Sequence, residues 1–297
     1  MFERHKYVEP KKVDWQSVKD PHATPKFDGG HYFLSVQSDG SLKYYSRRES
    51  VKGGFPERSS QLPHLADKKL PQFAGHVFSV ELIHTGHKKE NKESHSTAGG
   101  ILNSLTPKAI ETQKEKGPIR AVLLDVINPP MRTFGDKLVH MNNFEKAFNK
   151  PDVLFVPKAA TTPEQIVKLI QSSKAEGKEG VIVTSKTEPE ESNPRIKLKH
   201  FDTYNLRPVK IIQEVDKFGK PKQSMGAIDC ADASGRVVAT IGTGFTREER
   251  EDAFKNPEKW LSDLVQVKTM GWGSVGGKLR MPVYNGPADG DIDLIKP

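Results

Sequence analysis

A single cysteine, Cys230, occurs in the 297 residues. No intramolecular disulfide can form and no cysteine-based zinc site can be built, which fits a reducing compartment. Long apolar runs are also missing. None approaches the ~20 residues that a membrane-spanning helix needs, so no membrane partner is expected. The opening Met1-Phe2-Glu3-Arg4-His5-Lys6 lacks the apolar stretch of a secretory leader, and the reading is of a cytoplasmic protein that is not secreted. No internal repeat or low-complexity tract stands out, which excludes repeat architectures. Acidic residues fall short of basic ones, 38 against 46, for a net charge of +8. That excess suits a polyanionic partner such as nucleic acid. Phenylalanine is plentiful, at 14, and with scattered Val, Leu and Ile it supplies a core and excludes a disordered chain. The length suggests about two domains.

Turn and periodicity signals organise the chain. Residues 32–36 and 41–45 flank the turn signal Ser38-Asp39-Gly40 and predict a hairpin. Residues 77–83 read as a strand carrying one acid, Glu81, and 119–127 as a buried strand stopped by Pro129-Pro130. Residues 162–176 predict the clearest helix. Thr162 caps it, Pro163 suits its first turn, Gln165 completes a capping box, and Gly177 suits its stop. Val181-Ile182-Val183 and residues 195–199 predict short strands. The Lys-, Glu- and His-rich stretch 87–95 reads as a solvated loop rather than a metal site. Beyond Leu206-Arg207-Pro208 the texture changes. Short strands at 209–215, 227–231, 236–241 and 265–268, with short helices at 246–254 and 258–264, suit a small β-barrel. The domain boundary is placed between residues 206 and 207, giving domains 1–206 and 207–297.

Charged residues in fixed order carry the chemistry. Thr24-Pro25-Lys26-Phe27-Asp28-Gly29-Gly30 sets a lysine two residues before an acid and then glycines, which allow backbone to approach a ligand. Ser46-Arg47-Arg48 follows the hairpin. Glu81 sits inside an apolar strand, where a carboxylate is costly without a partner. Asp125 ends the run Ala121-Val122-Leu123-Leu124, Glu179-Gly180 follows the capped helix, and Ile196-Lys197-Leu198-Lys199 places two lysines on one face of a strand. Each of these has an ordinary structural explanation by itself. Their succession over most of the first domain does not.

That succession resembles the covalent nucleotidyltransferases, and among them the ATP-dependent DNA ligases. The motifs that match are Lys26-Phe27-Asp28-Gly29, Ser46-Arg47, Val80-Glu81-Leu82, Leu124-Asp125, Glu179-Gly180-Val181-Ile182-Val183 and Ile196-Lys197-Leu198-Lys199. Ile241-Gly242-Thr243-Gly244-Phe245-Thr246, followed by Arg247-Glu248-Glu249-Arg250, is similar to a stretch of the ligase oligonucleotide-binding barrel. The length is similar to that of the minimal viral and phage ligases, and for such a source the compartment would be the host-cell interior. The resemblance implies an α+β chain: an ATP-grasp-like nucleotidyltransferase (ligase adenylation) domain followed by an OB-fold β-barrel that binds nicks.

The resemblance also implies roles. Lys26 would be the catalytic nucleophile that takes AMP from ATP. Lys197 and Lys199 would meet the phosphates, and Glu179 and Asp28 would hold Mg²⁺ or Mn²⁺. Arg47 and Glu81 would grip the ribose and its neighbours, with Ser46 and Phe27 beside them, and backbone near Thr24 and Pro25 would meet the adenine edge. His31 stands where the family usually has Arg. Leu124 stands where an aromatic usually stacks on the base, and Thr184 where a basic residue often ends the Glu-Gly motif. The tail after Lys278 lacks the expected Arg near Pro287, leaving Arg280 or Lys296 as substitutes. The implied partner is nicked double-stranded DNA, bound by a monomer. Alternatives are an RNA ligase, a nick-binding protein with impaired catalysis and, more distantly, a capping guanylyltransferase.

Overall fold

The computed structural model describes residues 7–8, 14–51, 53–84, 95–176, 178–193, 195–272 and 277–295. The chain divides into two compact units, Met1–Lys199 and His200–Pro297. Unit 1 contains β1 (Tyr7–Val8), β2 (Pro21–Lys26), β3 (Gly30–Val36), β4 (Leu42–Ser46), α1 (Pro63–Ala66) and β5 (Val77–His84). It continues with α2 (His95–Asn103), α3 (Thr106–Lys116), β6 (Ile119–Asn128), α4 (Phe134–Phe148), β7 (Leu154–Phe155), α5 (Pro163–Ala175), β8 (Gly180–Ser185) and β9 (Arg195–Lys199).

Two sheets share these strands. One runs β1-β9-β8-β2 and the other β4-β3-β5-β6-β7. The chain crosses from the first to the second between Lys26 and Gly30. Alternation of side chains gives each sheet an outer, helix-covered face and an inner face. On the first sheet Ala23, Val181, Val183 and Ile196 pack with Ile166, Leu169 and Ile170 of α5. On the second, Leu34, Tyr44, Phe78, Val80, Leu82, Ala121 and Leu123 join Phe144 and Phe148 of α4 and residues of α1–α3 in one core. The remaining positions, among them Thr24, Lys26, Lys197 and Lys199 on one sheet and His31, Glu81 and Asp125 on the other, fall on the inner faces.

The predicted hairpin forms as β3–β4, with Gly40 at φ +80° in its turn. The strand containing Glu81 and the long buried strand form as β5 and β6. For α5, Thr162 Oγ1 accepts from Gln165 N, but Gln165 Oε1 accepts from Thr161 N rather than completing a box with Thr162. A complete capping box stands instead at α4, between Thr133 and Asp136. Gly177 and residues 87–94 lie outside the described residues.

Unit 2 contains β10 (Asp202–Val215), β11 (Pro221–Ala231), β12 (Val237–Ile241), α6 (Arg247–Lys255), α7 (Pro257–Ser262), β13 (Val265–Thr269) and β14 (Val283–Pro287). The division between units falls after Lys199, not at residues 206–207, because Leu206 and Arg207 lie within the 14-residue β10. Pro208 does not break that strand. The register shifts between Pro208 and Lys210, and a bulge is where a sheet tolerates proline. The strand order β12-β11-β10-β13-β14 is open, and the expected closed barrel is not made by strand pairing among the described residues. Leu279 N donates to Val238 O at 2.7 Å and Tyr284 N to Thr243 O at 3.0 Å, so single hydrogen bonds rather than a ladder join the flanking segments.

Candidate active site at the crossing between the two sheets

Register places the lysines. Lys26 of β2 lies opposite Gly180 of β8, and Gly180 lies opposite Lys199 of β9. In the adjacent row of the same face, Thr24 lies opposite Ile182, and Ile182 opposite Lys197. Three lysines and a threonine from strands distant in sequence thus share one inner face. Gly180 makes the first row possible. A Cβ there would stand 2.0 Å from Leu198 O, and its φ of +151° disfavours any side chain.

Carboxylates surround Lys26. Its ammonium contacts the Glu179 carboxylate, and Glu179 N donates to Lys26 O at 3.1 Å. From the other sheet, Glu81 Oε1 accepts from Gly29 N at 3.1 Å. A Cβ on Gly29 would meet Leu82 O at 2.4 Å, so this position too needs glycine. Burial pushes the Lys26 ammonium below its ordinary range. Glu81 and Asp28 oppose that shift, while Lys199 and Lys197 reinforce it. A lysine placed this way is a candidate nucleophile, because only the neutral amine attacks.

Other expected residues take more specific places. His31 lies opposite Glu81, and its Nε2 is 2.7 Å from Ser79 Oγ. Ser46 ends β4 opposite Tyr32, with Arg47 half-buried just beyond, and Ser46 Oγ donates to Arg48 O at 2.8 Å. The Phe27 ring is engaged by Phe155, with centroids 6.0 Å apart, and by Lys178 Nζ at 5.2 Å. Pro25 lies opposite Val181, on the face covered by α5. Thr184 is buried, and its hydroxyl donates to Asn193 Oδ1 at 3.1 Å.

Leu124 occupies a β-bulge. Ser79 pairs with Asp125 and Val80 with Leu123, so Leu124 has no partner residue across the ladder. The bulge shifts the alternation of β6 by one. Without it Asp125 would fall on the helix-covered face. With it Asp125 reaches the inner face, and Val126 takes its place in the core.

Among the described residues, no group of three or more His, Cys, Asp or Glu could hold a metal by itself. Glu179 and Asp28 flank Lys26 with oxygen donors, and Glu179 already carries a cation on its carboxylate, the Lys26 ammonium. This suits Mg²⁺, which takes one or two carboxylates and completes its shell with water and substrate phosphates.

The Gly242–Phe245 stretch in unit 2 is held by packing. Gly244 has φ +96°, and a Cβ there would stand 2.3 Å from Tyr284 O. Phe245 stacks on Tyr284 at 4.3 Å, and Arg250 donates to Met225 O, Gly226 O and Gly242 O. Arg280 lies at a turn, its N donating to Gly271 O at 2.8 Å, and Lys296 is outside the described residues.

The fold of these two units is similar to that of solved DNA ligases. The likeness is to solved structures. One belongs to a study of DNA binding with a minimal scaffold by Lig E DNA ligases. It matches at 18% identity and TM-score 0.66, over 91% of this chain and 93% of that one. A second, Pmar-Lig_Pre, matches at 14% identity and TM-score 0.68, over 95% of this chain and 66% of that one. No protein-family model and no curated protein matches by sequence.

Proposed function

We propose that the protein is an ATP-dependent DNA ligase that seals nicks between a 3′-OH and a 5′-phosphate in duplex DNA. One observation carries this reading: Lys26, Lys197 and Lys199 share one sheet face, with Glu179 and Glu81 beside the Lys26 strand end. In the first step the neutral Lys26 amine attacks the α-phosphorus of ATP. The N–P bond forms, the bond to the β-phosphate oxygen breaks, pyrophosphate leaves, and the amine proton passes to solvent. In the second, a 5′-phosphate oxygen of the nick displaces Lys26 and takes the AMP. In the third, the 3′-OH attacks that 5′-phosphate, closing the strand and releasing AMP.

Lys197 and Lys199 hold the phosphoryl oxygens and stabilise the charge that develops on them. Mg²⁺ would be held by Glu179 and Asp28 together with the phosphates, and would supply further neutralisation of that charge. Arg47 and Glu81 orient the ribose side. Leu124, at the bulge, offers the base an aliphatic surface. Unit 2 supplies basic groups for the sugar-phosphate backbone, which carries charge but no base identity.

Incubation with α-labelled ATP and Mg²⁺, then with a nicked duplex, tests the reading. The expected result is AMP on Lys26 as an acid-labile phosphoramidate, followed by a sealed strand. Label on another residue refutes it. Label without sealing of DNA, but with sealing of an RNA nick, supports the RNA ligase instead. The absent Arg near Pro287 predicts that self-adenylylation is slower than closure of a pre-adenylylated nick, and single-turnover rates of the two steps measure this.

A further inference from the structure

Four buried charges close a ring on the inner side of unit 1, and of them the sequence motifs contain only Asp125. Asp125 Oδ2 accepts from Arg195 at 2.8 Å, and Asp125 Oδ1 lies 3.1 Å from Lys137 Nζ. Lys137 Nζ reaches Glu190 Oε2 at 2.9 Å, and Arg195 Nη2 reaches the same oxygen at 3.4 Å. Each cation therefore touches both acids. All four side chains are 10% exposed or less, so none is a surface pair. Asp125 Oδ1 also accepts from Val126 N at 2.8 Å, and the Arg195 guanidinium lies 4.9 Å from the Phe134 ring centroid.

The ring joins elements that otherwise belong to different layers. Asp125 is on β6 of one sheet and Arg195 on β9 of the other, Lys137 is on α4, and Glu190 is on the turn between β8 and β9. Its position decides what it can do. Arg195 is two and four residues from Lys197 and Lys199, on the same face of the same short strand. Asp125 follows Leu124 at the bulge, and only the bulge brings it to this side. At the other end of β5, Glu81 accepts from Gly29 at the chain crossing that leads into β3, so that contact stays at the start of the β3–β5 ladder, whereas the ring reaches from one sheet to the other.

We propose that the Asp125–Arg195–Glu190–Lys137 ring is a positioning device that fixes β9 against β6, and so sets Lys197 and Lys199 relative to Lys26 and Leu124. The proposal rests on the ligase reading for its catalytic consequence. Stability alone does not explain such a ring, because a buried ion pair replaced by apolar residues of similar volume usually leaves stability unchanged or raised. What apolar residues do not reproduce is a directed, two-pronged contact between a guanidinium and a carboxylate.

The test uses the full chain with Asp125→Leu and Arg195→Met together, which leaves Lys137 and Glu190 paired with each other. Three quantities are measured: the melting midpoint, amide hydrogen exchange without nucleotide, and single-turnover AMP transfer to Lys26 over a range of ATP concentrations. The expected midpoint is unchanged or raised. Protection of the β9 amides falls at least tenfold while that of β3 and β5 is kept. Transfer at saturating ATP slows about 100-fold, as displacement of positioning groups by about an ångström can do. A folded double variant with wild-type β9 protection and wild-type transfer overturns the proposal. If the double variant does not fold, Arg195→Lys decides, since it keeps the charge and loses the fork. An intermediate loss of rate and protection supports the ring, and wild-type values overturn it. A wild-type protein that forms no lysyl-AMP refutes the ligase reading by itself, and the exchange measurement, which needs no nucleotide, still decides on the ring.

Discussion

The two units differ in where their linked charges lie: unit 1 has a buried set beside its surface pairs Lys43–Glu57 and Lys69–Asp39, while in unit 2 most ion pairs are exposed. In unit 1 Lys26, Glu179, Asp125, Arg195, Lys137 and Glu190 are all largely withdrawn from water and held in fixed contacts. In unit 2 the ion pairs Lys222–Glu214, Arg247–Glu251 and Lys259–Asp252 lie at the surface. Charges in a buried setting interact strongly and are costly to misplace. Charges at the surface are screened by salt and act mainly as a field. The difference is one of burial and not of net charge, since residues 200–297 hold 14 Lys and Arg against 14 Asp and Glu and the excess of +8 lies in unit 1. Under the proposed function, bond chemistry needs the fixed geometry of unit 1, whereas contact with a sugar-phosphate backbone needs only individual exposed cations such as those of unit 2.

The sharpest break of this contrast is at the nucleophile. Lys26→Ala should remove AMP labelling by at least about 10³-fold, to background, with the fold intact by circular dichroism. Gly180→Ala comes next. Its Cβ would collide with Leu198 O, and we expect ~3 kcal/mol of lost stability from strain and a broken β8–β9 register, read from urea unfolding.

His22, buried on the inner face beside Phe134, supplies a pH test. Burial first, and then Lys186, pull its pKa down to about 4, against the opposing charge of Asp20. The unfolded chain then binds the proton more readily, so this contribution to stability is complete above about pH 6.5 and is lost as pH falls toward 4. Loss of roughly 3 kcal/mol across that window, absent in His22→Gln, is the expected result of thermal unfolding at a series of pH values.

Surface changes in unit 2 should be smaller and different in kind. Lys220→Ala should weaken binding to nicked duplex only a few-fold, equally for nicks of different sequence, and reduce the slope of log K against log[salt] by about one. Arg247→Ala should leave the melting midpoint unmoved. A large, sequence-dependent loss for Lys220→Ala would erase the contrast between the units.

Much of the site was legible because its residues lie in short motifs whose strand context is local. Lys26, Glu179, Lys197 and Lys199 could be ordered by eye, and alternation alone put the last two on one face. The ring was not legible. Asp125 reaches it only through the bulge at Leu124, which a strict period of two misplaces, and Lys137 sits on α4, which the sequence reading did not contain. A signal for α4 existed: Thr133 and Asp136 at capping-box spacing, then Met141, Phe144 and Phe148. Gly135, His140 and the Asn142-Asn143 pair weakened it. The capping box expected at α5 failed by one residue, since Gln165 reached Thr161. The boundary read between residues 206 and 207 differs from the division after Lys199 because Pro208, which marked the change of texture, sits at a bulge within β10, and a proline at a bulge looks the same in sequence as a proline in a linker. The small barrel was read from strand spacing, which fixes neither the number of ladders nor whether the last one forms.

The pairing of β2 with β8 also governs the order in which the molecule can be built. Every neighbour in the β4-β3-β5-β6-β7 sheet has left the ribosome once Phe155 emerges. Lys26 by then has no strand beside it, because its ladder partner Gly180 lies about 150 residues downstream, and Lys199 later still. The nascent chain thus completes one sheet while the strand bearing Lys26 waits, and the three lysines come together only when all of unit 1 has been synthesised.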